Sequence, residues 1–281
     1  MNDSELIKKK YERQSKRLDK ILKQSDRQQL SLLHLNEKIK EQEKELRSLY
    51  DYDQQQQQIA KDKIDLTIVN ELINSKDLVV QTINHAADIL SGDFYSMYTL
   101  KDDSVVTFVF DAQGHGISPA LTVFSVSSAI SLLMEEDLDF ERLTEKLFRM
   151  NKKFLGDIEQ ISYTIVFIDK NRKNMKYASG GMYPFFIKTK SGIVKYKANN
   201  LPFMNFSDVP KITSIELAEW ENIFIYTDGL VEEDLENTIK FSRPIDFLND
   251  LNTFESFKSM IKNKKFEDDI TIVQLINDKV K

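Results

Sequence analysis

Val105-Val106-Thr107-Phe108-Val109-Phe110-Asp111-Ala112-Gln113-Gly114-His115-Gly116 reads as a strand that ends on a carboxylate and enters a glycine-rich turn. A short unbroken run of apolar and β-branched residues fits a strand buried on both faces. Asp111 then stands just outside a rigid element, where a side chain can reach a crevice. Three more carboxylate sites have the same layout. Asp93 sits in Ser91-Gly92-Asp93-Phe94-Tyr95, and Asp228 lies between the run Ile223–Thr227 and Gly229. Asp268 and Asp269 immediately precede Ile270-Thr271-Ile272-Val273. Taken singly, each reads equally well as a turn aspartate. Four together, two of them beside glycines that permit close backbone approach, point to one shared site. Clustered carboxylates suit hard cations such as Mg²⁺ and Mn²⁺.

Outward from this stretch, more strand-like runs follow: Ile161–Ile168, Met175–Ala178, Pro184–Lys188, Ile193–Tyr196, Asn222–Tyr226 and Ile270–Leu275. Asp169–Asn174 and Thr189–Gly192 read as hairpin turns between them, which implies antiparallel pairing. A helix is expected from Ser118-Pro119, with serine as cap and proline at the first helical position. It is apolar on most sides, so burial is expected. Further helices are expected over 138–154 and 244–261. Strands, a helix pair and strands again indicate an α+β sandwich.

The N-terminal part differs. The first glycine is Gly92 and the first proline Pro119, which favours long helix before them. Leu18, Ser25, Leu32, Ile39 and Leu46 repeat every seven residues, and Ile21, Gln28, Leu35, Gln42 and Leu49 follow three later. This seam predicts a coiled coil, formed with a second copy or with an upstream regulator. Gln54–Gln58 is read as a helical hinge or boundary, and a second amphipathic stretch covers Ile59–Ile73. The expected division is a coiled-coil arm over 1–58, a regulatory linker helix over 59–78 and a globular domain over 79–281.

The chain has 281 residues, a net charge of −6 and no cysteine. The charge disfavours a nucleic-acid surface. Without cysteine there are no disulfides, thiolate metal sites or cysteine nucleophiles. No run approaches the roughly 18 apolar residues of a membrane span, and residues 1–10 are too polar for a signal peptide. A cytoplasmic protein without membrane or nucleic-acid partners is expected.

The ordered motifs Ser-Gly-Asp-Phe-Tyr, Asp-x-x-Gly-His-Gly, Tyr-Thr-Asp-Gly and Asp-Asp-Ile-Thr resemble those of the PPM-type metal-dependent serine/threonine phosphatases, in the bacterial SpoIIE/RsbU branch. The resemblance covers about residues 80–276. It implies an αββα sandwich, two central and mainly antiparallel sheets flanked by helices. It implies two divalent ions, Mn²⁺ or Mg²⁺, held by Asp93, Asp111, Asp228 and Asp268, with Asp269 as neighbour or support and the Ala112 carbonyl as a further donor. A hydroxide bridging the two ions would attack phosphoserine or phosphothreonine. The substrate class implied is a phosphorylated STAS-domain antagonist of an anti-sigma factor. His115 is read as shaping its loop rather than donating a proton. The sequence departs from the family pattern at Ser91, at Ala112, at Gly181 where histidine is usual, and over Leu201-Pro202-Phe203-Met204. The competing reading is a catalytically silent phosphatase-fold scaffold.

Overall fold

The computed structural model describes residues 3–66, 77–232, 243–249, 252–262, 264 and 266–278. The chain divides into two compact units, Met1–Gln56 and Gln57–Lys281.

Helix α1 runs over Asp3–Asp65. Its seam residues Leu18, Ile21, Leu32, Leu35, Ile39, Leu46 and Leu49 are all exposed. The glutamine run is helical, and its ends bond one turn away, Gln54 to the Tyr50 hydroxyl at 2.8 Å and Gln58 to Asp62 at 2.9 Å. Of the expected linker helix, residues 59–65 are the last residues of α1, and 67–73 lie outside the described residues.

The larger unit carries β1 (Leu78–His85), β2 (Asp93–Thr99), β3 (Val105–Ala112), α2 (Ile117–Met134), α3 (Phe140–Asn151), β4 (Ile161–Ile168), β5 (Asn174–Gly180), β6 (Phe185–Thr189), β7 (Gly192–Tyr196), β8 (Thr213–Glu216), β9 (Trp220–Tyr226), α4 (Gly229–Glu232), α5 (Pro244–Asn249), α6 (Asn252–Ile261) and β10 (Ile270–Asn277). They form two five-stranded sheets, ordered β2-β3-β4-β5-β8 and β1-β10-β9-β6-β7. Every strand pair within them is antiparallel.

Period-two alternation sets the layers. On β3, Val106, Phe108 and Phe110 join Val123, Ile130 and Leu147 in a core under α2 and α3. Val105 and Val109 face the other way, into a core between the sheets with Met97, Val166, Ile223, Ile225, Val273 and Leu275. Ile270 and Ile272 of β10 face a third core with Phe224, Phe247, Phe254 and Phe257. The result is helices, sheet, sheet, helices. Each such Phe, Val or Ile contributes about 1.5–3 kcal/mol by leaving water, which is why both faces of the central strands are apolar.

Two expectations about α2 are corrected. Its cap is Gly116, at φ 92°, and not Ser118. Burial is one-sided: Ala120, Val123, Val126 and Ile130 face sheet one, while Leu121 and Leu132 are 61% and 60% exposed. An apolar serine-rich sequence hides this face, because serine bonding back to the helix satisfies itself without burial. At 18 residues and mean hydropathy 1.7, α2 is also long and apolar enough to cross a membrane by composition alone, against the expectation that no run would be. Its buried face is packed against the sheet instead.

Candidate metal centre

Asp93 opens β2 and Asp111 lies near the end of β3, and the two are direct cross-strand partners. Alternation places both on the face between the sheets, since Phe94 and Phe110 point into the outer core. Like charges directly opposite on a sheet destabilise it. Asp93 is 6% exposed. Burial, then repulsion from Asp111 and from Asp269, push its carboxyl well above the usual range, against hydrogen bonds from Thr227 and Thr271.

The second sheet supplies the rest. Asp228 lies half-buried between β9 and α4, and its carbonyl accepts from the Val231 amide at 2.8 Å, starting the helix. Asp268 is half-buried just before β10, and its Oδ1 accepts from the Asp269 amide at 2.9 Å. Asp269 is 3% exposed. Its two oxygens accept from the amides of Ala87, at 2.8 Å, and Gly92, at 2.6 Å. Burial raises the Asp269 carboxyl, and those amides oppose the rise. The Thr227 hydroxyl donates to Asp93 Oδ2 at 2.7 Å and accepts from the Thr271 amide at 2.9 Å. All four motifs therefore meet where the ends of β2 and β3 face the ends of β9 and β10. Thr227 lies inside the Tyr-Thr-Asp-Gly motif, and its role as the partner of Asp93 is visible only in the fold.

Ala112 closes β3, and its amide donates to the Gly92 carbonyl at 3.0 Å. A Cβ on Gly92 would stand 2.8 Å from the Ala112 carbonyl oxygen and 3.0 Å from that of Gly114. Glycine is needed there for the two loops to approach. His115 is exposed between Gly114 and Gly116, at φ 91° and 92°.

The two departures beyond the acidic motifs touch each other. Gly181 has φ 72°, and a Cβ there would meet Pro202 and Ser162, each at 2.8 Å. A histidine does not fit this backbone. Phe203 bonds Ile161 in both directions, at 2.9 and 2.8 Å, which seats the Leu201–Met204 segment against β4. The glycine and the altered segment are one packing solution.

Among the described residues, no three His, Asp or Glu side chains stand close enough together to hold a metal ion as they are. The donors nevertheless fit a hard divalent cation. They are carboxylates and a carbonyl, and Asp93 is buried against carboxylates of its own sign, a repulsion that a cation removes.

Two central antiparallel sheets with helices outside and acidic strand ends between them are the fold of the PP2C phosphatases. The SiaA PP2C domain of Pseudomonas aeruginosa matches with TM-score 0.64 at 16% identity, over 81% of this chain and 98% of that one. RsbX in complex with magnesium matches with TM-score 0.52 at 17% identity, over 73% of this chain and 97% of that one. Phosphoserine phosphatase RsbP of Bacillus subtilis is 26% identical over 176 residues, 60% of this chain. The chain spans 44% of that relative's length. Residues 101–276 match the model of stage II sporulation protein E (SpoIIE), and the chain belongs to this family.

Proposed function

We infer that this protein is a metal-dependent phosphatase that removes phosphate from serine or threonine of a regulatory protein. The observation that carries the reading is the buried Asp93 carboxylate facing Asp111 and Asp269 where the two sheets meet. Asp93, Asp111, Asp228 and Asp268 would hold two ions, Mn²⁺ or Mg²⁺, with the Ala112 carbonyl as a further donor. Bound divalent ions lower the pKa of water and neutralise charge on a transferring phosphoryl group. The chain's own part is to place its donors on rigid strand ends and to fix Asp93 through Thr227. Both Asp269 oxygens already accept backbone amides, which favours a supporting part beside the ligands. His115 shapes the loop that starts α2. A groove of about 770 Å³ lined by Ala112, Gln113, Thr122, Phe154 and Ile158 gives a protein substrate room beside the centre.

Hydrolysis of p-nitrophenyl phosphate should depend on Mn²⁺ and should fall on the order of 10³-fold in Asp228→Asn, several kcal/mol of lost charge stabilisation. Metal-independent turnover, or turnover undiminished in the variant, overturns the reading. Absence of both turnover and Mn²⁺ binding leaves the scaffold.

The substrate is read as a phosphorylated STAS-domain antagonist of an anti-sigma factor, on the motif resemblance and on the kinship with a phosphoserine phosphatase. Release of phosphate from a phosphoserine STAS domain, compared with an unrelated phosphoserine protein, tests this, and equal rates would count against it. The protein is read as cytoplasmic. Residues 1–58 are read as a coiled coil joining two copies, and 59–78 as the segment through which the N-terminal helices regulate turnover. The support is the exposed seam of α1, which needs a partner to leave water. Sedimentation of the full chain should give a dimer, and removal of residues 1–77 should give a monomer with altered turnover. A monomeric full chain rejects the coiled coil, and unaltered turnover rejects the regulation.

A further inference from the structure

Asp93 belongs to the first sheet, and the groups that fix it belong to the second. Thr227 follows β9, and its hydroxyl is fully buried. That hydroxyl has one proton to give and gives it to Asp93 Oδ2 at 2.7 Å. The same oxygen accepts from the Thr271 amide of β10 at 2.9 Å, and the other acceptor within reach of the proton, the Thr271 carbonyl, is farther off at 3.5 Å. Backbone bonding holds the same place, with the Thr227 amide donating to the Thr271 carbonyl at 3.0 Å. One residue earlier than Asp93, the Gly92 amide donates to Asp269 Oδ2 at 2.6 Å, and the other Asp269 oxygen takes the Ala87 amide at 2.8 Å. Asp269 immediately precedes β10. Two side chains of the second sheet thus grip consecutive residues of the first, Gly92 through its backbone and Asp93 through its carboxylate.

We propose that Thr227 and Asp269 are positioning residues that latch the two sheets together at Asp93 and so set the separation of the carboxylates for metal. This rests on the metal-dependent reading above. The geometry separates the two roles. Asp269 fixes where the chain enters β2, and Thr227 fixes which way the Asp93 carboxylate turns. A buried charge-assisted hydrogen bond strengthens in the absence of water, so each member carries more than a surface contact would. Groups that orient metal ligands typically carry about 10- to 100-fold in metal affinity.

The experiment uses the full chain with Thr227→Val, Thr227→Ser and Asp269→Asn. Mn²⁺ binding is followed by calorimetry. Thr227→Val keeps the shape and loses the proton, and should weaken Mn²⁺ binding about 10- to 100-fold without changing the number of ions bound. Thr227→Ser restores the donor and should bind within about threefold of the native chain. On p-nitrophenyl phosphate, Thr227→Val at saturating Mn²⁺ should lower kcat while KM stays within about twofold, since nothing that faces the phosphate is altered. Hydrogen exchange gives a readout that needs no metal: the Thr271 amide should lose protection in Thr227→Val, and the Ala87 and Gly92 amides in Asp269→Asn. A native chain that binds no Mn²⁺ refutes the metal-dependent reading, while the exchange data still decide the latch. Native Mn²⁺ affinity in Thr227→Val, failure of Thr227→Ser to restore binding, or unchanged protection of these amides each overturns the proposal. Loss of one bound ion in Asp269→Asn also overturns it, by making Asp269 a ligand.

Discussion

Asp93→Asn is expected to abolish metal-dependent turnover and at the same time raise the melting temperature of the chelator-treated protein. Both effects have one cause. The Asp93 carboxylate is buried opposite Asp111 and near Asp269, an arrangement that suits a cation and strains the protein without one. Asparagine keeps an oxygen for the Thr227 proton and offers a donor in place of a charge towards its acidic neighbours. Turnover should drop on the order of 10³-fold or more. The metal-free melting temperature should rise by about 2–4 °C for each kcal/mol of relieved repulsion. The pH dependence has a fixed sign. The folded pKa of Asp93 is raised above its unfolded value, so its favourable contribution is complete below about pH 3.9 and is lost as pH rises through the folded pKa. The advantage of Asp93→Asn over the native chain should therefore widen as pH rises through that range. Adding Mn²⁺ should reverse the order at neutral pH, because only the native chain gains by binding. Melting curves across pH, with chelator and with Mn²⁺, check this. A variant no more stable than the native chain without metal at neutral pH would refute it.

Gly229→Ala should cost about 3 kcal/mol or more of folding stability, and with it the metal centre. A Cβ at Gly229 would stand 2.1 Å from the Asp269 carbonyl oxygen and 2.9 Å from its carbon. These are backbone atoms, and they cannot swing aside as a side-chain end would. Asp269 is moreover pinned through both carboxylate oxygens to the segment before β2, so a shift there displaces Gly92. Urea unfolding should show the loss as a lower midpoint with an unchanged slope. Gly156→Ala is the matched control. The three atoms nearest its Cβ belong to the Glu159 side chain, at 3.5–3.7 Å, so it should stay within about 0.5 kcal/mol of the native chain. Equal midpoints for Gly229→Ala and the native chain would remove the steric account of this glycine.

Much of the domain was legible because its strands are continuous β-branched and aromatic runs. Val105–Phe110, Ile161–Ile168 and Asn222–Tyr226 read as strands from composition and are strands. Asp169 read as a turn residue, and its carboxylate accepts the amides of Lys173 and Asn174 at the hairpin. Leu78–His85 and Thr213–Glu216 were not read as strands, nor was Asp93–Thr99, of which only the motif around Asp93 was read. The first mixes Gln81, Thr82, Asn84 and His85 among its apolar residues, and the second is four residues long. Their pairing with β10 and β5 settles them, and pairing is a tertiary fact. The acidic positions were legible one motif at a time. What holds them was not, because Thr227 reaches Asp93 across 134 residues and Gly92 reaches Asp269 across 177. No periodicity connects residues so far apart.

The pairing of β1 with β10, Leu78 against Asn277 through His85 against Ile270, has a consequence for how this domain is made. The first strand of the second sheet waits for the last. During synthesis the chain emerges in order, so β2 to β5 can assemble while β1 and β9 still lack the strand that lies between them. Contacts of such long range must meet the loop-closure entropy before they gain anything, which slows folding. The centre is therefore the last part of the domain to be completed. A nascent or truncated chain that stops before residue 268 lacks Asp268 and Asp269, and with them the two bonds that hold the Ala87 and Gly92 amides.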